Sequence, residues 1–313
     1  MKYFKWVLIV LMMITVISFT ACSDPASGVN PGNSGGTGGT GGNGEGGSSP
    51  VVIYIGTKAP SVAKEVGDIV FNDGSAMPYA TFTTLDETTK DAKKTSAIAL
   101  IFYKGTGLNS DDAQGNANTT TSRTLGVGIK HNKDGLEWCT SSAAARTINI
   151  TSIECQINNS QGNYTFTGDK NGSDNLEQIA AFLTAEDGVE DDTATAEKYP
   201  SFYFAKNYSS QTGSNIIAGS DYANGWYLPS IAELYQIRVN GKGTNRVFDI
   251  DEASSALGGD GFWYAGYWSS TTRNTSEYSE YGAYPIDLSE ETCIWASTYK
   301  GYQEEVCAIR EFN

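Results

Sequence analysis

The chain has 313 residues, with 21 Lys and Arg against 36 Asp and Glu and a net charge of −15. A surface of that sign repels phosphate backbones and excludes nucleic acid as a partner. The single histidine, His131, excludes any two-His zinc site, any His cluster and a Ser–His–Asp triad elsewhere in the chain. Aromatic residues at 12% and 35 glycines describe a folded, turn-rich chain and name no activity.

Residues 1–21 read as an export signal. Lys2 and Lys5 form a basic start, and Trp6 to Phe19 is apolar but shorter than the roughly 20 residues a spanning helix needs. Phe19-Thr20-Ala21-Cys22 resembles a bacterial lipobox with Phe19 in the usual Leu position, a looseness familiar in spirochaetes. Cys22 is then the lipidation site and the first mature residue. Ser23 in place of Asp favours the outer membrane. Removing residues 1–21 takes away two lysines and no acid, so the mature chain is more negative still. Residues 22–50 read as a tether: 11 of the 35 glycines fall between positions 28 and 47, giving a flexible spacer with a reach of roughly 25–30 Å. Residues 51–313 are left as one folded domain with no second linker.

Within that domain, Val51–Ile55 and Val66–Phe71 read as short β-branched strands. Asp86 caps a short helix ending at Lys94. Ala97–Tyr103 is a continuous apolar run, hence a buried strand. Leu125, Val127 and Ile129 alternate with Gly126, Gly128 and Lys130, and Asn132-Lys-Asp-Gly135 predicts a hairpin into Leu136–Cys139. Leu176, Ile179, Ala180 and Leu183 lie on one helical stripe after Ser173 or Asp174. Residues 186–192 form an acidic solvated loop. Ser230-Ile-Ala-Glu233 is a capping box opening a helix that stops at Asn240-Gly241. Ile250–Leu257 predicts a second short helix closed by Gly258-Gly259. Gly266–Phe312 turns and alternates as strands. The sum is an α+β fold with an antiparallel sheet and a few packed helices.

Three blocks stand out: Gly225-Trp-Tyr-Leu-Pro-Ser-Ile-Ala-Glu-Leu234, Tyr267-Trp-Ser-Ser270 and Val306-Cys-Ala-Ile-Arg-Glu-Phe312. Packing alone accounts for them, with Trp226, Leu228 and Trp268 entering a core. Their order resembles bacterial lipoproteins of the C-type-lectin-like, formylglycine-generating-enzyme-type fold. The resemblance is strongest to treponemal surface lipoproteins related to TvpA, the variable protein of a diversity-generating retroelement. Val66–Phe71, Ile101–Tyr103 and Arg123–Gly128 also resemble that group, so the likeness covers most of residues 51–313. It implies a rigid scaffold whose C-terminal segment, 267–313, displays a ligand-binding surface. Adenine-targeted mutagenesis of Asn-type codons does not yield Glu277, Glu280, Glu290, Glu291, Trp295, Lys300 or Gln303. Those are either fixed positions or the mark of a paralogue that is not diversified, and the second reading is preferred. The Glu-Pro-Asn and Trp-Asn-Asp sequences of calcium-dependent lectins are missing, as is the paired-cysteine catalytic arrangement of the formylglycine-generating enzymes.

The expectation is a lipid-anchored, surface-exposed outer-membrane protein, monomeric, with no enzymatic activity, cofactor or metal, that binds a protein or host ligand. A carboxylate-based hydrolase and a structural envelope lipoprotein are the alternatives. Alternation turns Ala283, Ile286, Leu288 and Cys293 inward. Arg273, Tyr278, Tyr281, Asp287, Ser289, Glu290, Trp295, Ser297 and Tyr299 then face out as ligand-binding candidates, with Tyr, Trp and Arg suited to hot spots. Asp169-Lys-Asn-Gly-Ser-Asp174 spaces oxygens like a calcium loop, but position twelve is Ala180, so a polar turn is preferred. His131 reads as a hairpin-end residue. With Cys22 lipidated, the four other cysteines read either as Cys139–Cys155 and Cys293–Cys307 disulfides or as four buried thiols.

Overall fold

The computed structural model describes residues 52–160, 163–188, 195–211, 213–263, 266–273, 282–289 and 298–312, and Val52–Asn313 form one unit. The predicted signal peptide, tether and Cys22 lie outside the described residues. The fold is α+β. Strands β1 (Asp68–Phe71) and β2 (Ala76–Pro78) lead into helices α1 (Tyr79–Thr83) and α2 (Glu87–Lys94), then β3 (Ala97–Gly105), β4 (Arg123–Gly128) and β5 (Asn132–Glu137). Strands β6 (Cys155–Ser160) and β7 (Asn163–Gly168) precede helices α3 (Asn175–Phe182) and α4 (Pro200–Lys206). Strand β8 (Trp226–Tyr227), helices α5 (Ile231–Gly241) and α6 (Ile250–Ala256), and strands β9 (Gly266–Thr272), β10 (Gly282–Asp287), β11 (Thr298–Tyr299), β12 (Gln303–Val306) and β13 (Ile309–Glu311) complete the chain.

A six-stranded sheet runs β2-β1-β3-β4-β13-β8, a five-stranded sheet runs β11-β10-β9-β12-β5, and β6-β7 is a separate antiparallel pair. The six-stranded sheet is buried on both faces, which explains the unbroken apolar run of β3. Leu100 and Phe102 join one core with Ile231, Leu234 and Ile237 of α5, while Ile98 and Ile101 join the other with Trp138, Phe202 and Trp226. The glycines of β4 also have a steric reason. A Cβ on Gly126 would lie 2.7 Å from the Phe312 ring, and one on Gly128 would lie 2.4 Å from that of Tyr208. Both rings can approach the sheet this closely only because those positions carry no side chain.

Local signals hold where they rest on capping. Asp86 accepts the Thr89 amide at the start of α2, and both halves of the Ser230–Glu233 capping box are present at α5. The stripe of Leu176, Ile179 and Leu183 is buried on and just beyond α3, although Asp174 makes no side-chain cap. Two expectations are corrected. Residues 52–55 form no strand: Ile53 is 91% exposed, and the Ile55 amide donates to the Asp73 carboxylate. Asn132–Gly135 is not a hairpin turn either. Asp260 accepts the His131 amide and its own amide donates to the Ile129 carbonyl, and the chain leaves β4 for the other sheet. Strand β5 then pairs with β12, with a register shift accommodated near Gly135 at φ 81°.

Candidate functional site

The three sequence blocks meet at one junction. Strand β8 pairs with β13, setting Arg310 opposite Trp226, and the Ser270 amide donates to the Pro229 carbonyl at 2.8 Å. The Ile231 amide donates to Thr271 Oγ1 at 3.1 Å. Trp226 packs between Tyr208 and Phe312. Trp268 Nε1 donates to the Leu136 carbonyl and Trp138 Nε1 to that of Ser269, so two buried indoles staple β5 to β9 across β12.

Behind the junction lies a buried polar hub. Glu233, fully buried, accepts from Arg123 Nη1 at 2.9 Å, Tyr227 Oη at 2.9 Å, the Ser230 amide at 2.8 Å and the Gly172 amide at 3.1 Å. Arg123 also donates to the Leu108 carbonyl, Tyr227 Oη and Glu311. Burial pushes the Glu233 carboxyl up, against the pull of Arg123; burial also opposes the charge on Arg123, yet Glu233, Tyr227 and Glu311 raise that group overall. For one ion pair these directions conflict. Four donors aimed at Glu233 support the ionised pair. The hub is structural, since each member is engaged by another part of the fold.

The C-terminal segment has a different character at its rim. Strand β11 turns into β12 through Tyr299-Lys-Gly-Tyr302, closed by the Tyr302 amide on the Tyr299 carbonyl. Tyr299 and Tyr302 are 41% and 59% exposed, with ring centroids 5.9 Å apart and edge to face. The Arg146 guanidinium lies 4.3 Å over the Tyr299 ring. Gly301 makes this stacking possible, because a Cβ there would overlap Arg146. Lys300, between the tyrosines, is fully buried; its Nζ donates to the carbonyls of Ala145 and Ile148 and lies 5.0 Å over Trp138. Burial lowers the Lys300 ammonium to about 8. Two ring-bearing corners are thus pinned by an inward lysine.

The ligand-binding candidates divide accordingly. Tyr299 is exposed in this rim, Ser289 is exposed, and Arg273 is half-buried with its guanidinium 5.9 Å over Tyr284. Asp287 is a correction: it is 8% exposed and its Oδ1 accepts from the amide and hydroxyl of Ser289, closing its own turn. Alternation failed there because the end of β10 is covered on both sides. Tyr278, Tyr281, Glu290, Trp295 and Ser297 lie outside the described residues, as does Cys293. Ala283, Ile286 and Leu288 are buried as expected. Sequence reasoning missed Tyr302 and Arg146; the Lys-Gly pair between two tyrosines was the available turn signal.

Cys139, Cys155 and Cys307 are buried free thiols, so the Cys139–Cys155 and Cys293–Cys307 pairings are corrected. Burial raises Cys139 and Cys155 to about 12 and Cys307 further, leaving all three unreactive. His131 is also internal: its ring lies 3.0 Å from Tyr267 Oη, and burial, then Lys133, lowers it to about 3. No helix among the described residues is long and apolar enough to cross a membrane. Comparison with protein-family models, curated proteins and solved structures finds no match.

Proposed function

We propose that this is an exported, lipid-anchored, surface-displayed binding protein with a C-type-lectin-like domain, which recognises a protein or host-surface ligand through its C-terminal face. The observation that carries the reading is the Tyr299–Tyr302 turn. Two exposed rings and a stacked guanidinium stand on a turn that Lys300 fixes from inside. Large, few-rotor aromatic tips on a preorganised support are what binding hot spots require. The lectin-like architecture is supported by the placement of the first strand, β1, and the last, β13, in one sheet, with the three sequence blocks at its junction. Outer-membrane display rests on the Phe19–Cys22 lipobox, Ser23 and the glycine tether.

The test has two arms. In cells, wild-type protein should enter the detergent phase and be accessible to added protease, while Cys22→Ala should stay unprocessed or soluble. In vitro, the full chain is screened against immobilised extracellular-matrix proteins and glycans. Tyr299→Ala or Tyr302→Ala should weaken any specific interaction by about 2 kcal/mol, roughly thirtyfold, with unchanged melting. Binding that survives both substitutions, or a wild-type chain carrying no lipid, refutes the corresponding arm.

A further inference from the structure

The six-stranded sheet ends in an open edge. Strand β8 pairs with β13 on one side and, among the described residues, with no strand on the other. The register decides which of its main-chain groups are spare. The Gly128 amide donates to the Ala308 carbonyl and the Phe312 amide to that of Thr124, so residues 308, 310 and 312 direct their amides and carbonyls at β4. Ile309 and Glu311 then direct theirs at β8. Ile309 pairs with Tyr227, which commits the Tyr227 amide and carbonyl to β13. The Trp226 amide and carbonyl point the opposite way, off the sheet. Among the described residues no group donates to or accepts from them.

A cavity of about 330 Å³ runs along this edge. Leu228 belongs to one core and Tyr227 to the other, so a cavity touching both lies beside the strand and not over either face. Ser173, Leu176 and Glu177, at the entrance to α3, form one wall, and Phe202 and Lys206 of α4 form the other. The two helices flank the edge without pairing with it. An unpaired amide and carbonyl on a nearly buried residue are costly, and an extended main chain supplies the acceptor and the donor together.

We infer that this cleft binds an extended peptide segment of a partner protein, which adds to β8 as a seventh strand. One residue of the segment pairs its amide and carbonyl with the carbonyl and amide of Trp226. Trp226 contributes main chain alone, since its ring is packed between Tyr208 and Phe312. The side chain of the paired residue falls on the Trp226 face, towards Leu176 and Phe202, and is apolar. Its two neighbours fall on the Tyr227 face. Glu311 is on that face, because Arg123 reaches both Glu311 and Tyr227 Oη, and its side chain is 34% exposed. Glu177, 63% exposed in its side chain, adds a second carboxylate at the mouth, against the single ammonium of Lys206. Two acids to one base, on a chain of net charge −15, select basic neighbours. The cleft shares no lining residue with the Tyr299–Tyr302 rim, so its ligand does not depend on the proposed function.

Residue-resolved hydrogen exchange on the detergent-solubilised full chain tests the inference, with the acetylated and amidated peptide Thr-Lys-Leu-Lys-Thr as probe. In the free chain the Trp226 amide should exchange at least about tenfold faster than that of Tyr227. The peptide should protect it saturably. N-methylation of the peptide's Leu amide should weaken binding at least tenfold, while N-methylation of either Lys amide, which faces away from β8, should leave it within about twofold. Ser173→Trp, at an exposed position in the wall, should block the peptide at unchanged melting temperature, and Tyr299→Ala should not affect it. The inference is overturned if the Trp226 amide of the free chain is as protected as that of Tyr227, if the peptide gives no saturable protection, or if the methylated peptides all bind alike. Protection that rises with protein concentration alone also overturns it, since a second copy of the chain then occupies the edge.

Discussion

Removing the Glu233 carboxylate should be among the most damaging single changes in the molecule. Glu233→Ala deletes the acceptor for four donors, one of them the guanidinium of Arg123, which is 4% exposed in its side chain. Breaking one side of a buried pair costs about 3–5 kcal/mol because the remaining charge is uncompensated. For a domain of this size that is roughly a 10 °C loss in melting temperature. Glu233→Gln should cost about 2 kcal/mol, since however the amide is turned, its NH2 faces donors. The informative variant is the pair Arg123→Met with Glu233→Leu. With both charges gone, the Tyr227 hydroxyl, the Ser230 and Gly172 amides and the Leu108 carbonyl need new partners, and the Glu311 carboxylate, which also loses Arg123, is 34% exposed in its side chain and can turn to water. The double variant should therefore be no less stable than Glu233→Ala, with a coupling energy of about 2 kcal/mol or more. Urea unfolding followed by near-ultraviolet circular dichroism measures all of these. A Glu233→Ala penalty below about 1 kcal/mol, or strictly additive single losses, would refute the hub.

Trp268→Ala should lower stability by about 3–5 kcal/mol, because it removes a fully buried indole and its bond to Leu136, and denaturant titration reads the loss. Gly128→Ala should cost about 1–3 kcal/mol by driving a methyl group into Tyr208, and denaturant titration reads that loss too. Two buried groups bias the pH dependence of stability in opposite directions. Asp169, raised from 3.8 to about 7, keeps a proton in the native state that the unfolded chain has lost, so its contribution falls as pH rises between those values. His131, lowered from 6.5 to about 3, resists a proton the unfolded chain takes up, so its contribution falls as pH drops across that window. Between about pH 4 and 6.5 the two should largely cancel. Asp169→Asn should make stability rise with pH there, and His131→Gln should make it fall, each by up to about 1.4 kcal/mol per pH unit; slopes of the same sign in both variants would contradict the assignment.

How much of this could be read in advance depended on how local the signal was. The caps at Asp86 and Ser230 needed only a few residues, and both formed. The β3 run and the Leu176–Leu183 stripe declared their burial through composition. The failures came where the answer lay in a distant element. Gly135 carries the chemistry of a hairpin turn, but Asp260 diverts the chain at His131 and the glycine serves a bulge instead. Strands β6 and β7 are mostly polar and were not foreseen, since their few apolar side chains, including Tyr164 and Phe166, find Tyr235 on α5. Asp287 sat in an alternating segment, and alternation predicts faces only where one side of a sheet meets water. The end of β10 is covered on both sides and Lys300 lies beneath its own turn, so a charged residue can point inward there if carbonyls or a neighbouring turn receive it.

That last point bears on how the C-terminal segment proposed to display a ligand-binding surface would be built. The three sequence blocks hold the sheets together: Trp226, Trp268 and Phe312 are buried, and the Glu233 hub lies behind them. None of these side chains has surface left to contact a ligand, so they constrain what the segment stands on and leave what it presents free to differ. Between Trp268 and Phe312 the described support reaches the surface at the Tyr299–Tyr302 turn, and it is rigid there because Lys300 is fixed from below by two carbonyls and an indole. Loss of Lys300 should therefore loosen both tyrosines together, although neither is touched. Lys300→Met keeps the stem and its packing on Trp138 but removes the two charge-assisted hydrogen bonds. The expected result is a small stability change, since burial of the ammonium already opposes its charge, together with faster hydrogen exchange at the Tyr302 amide and Ala145–Ile148. If exchange in the turn is unaltered while Tyr299→Ala still weakens ligand binding, the tyrosines act without the lysine beneath them.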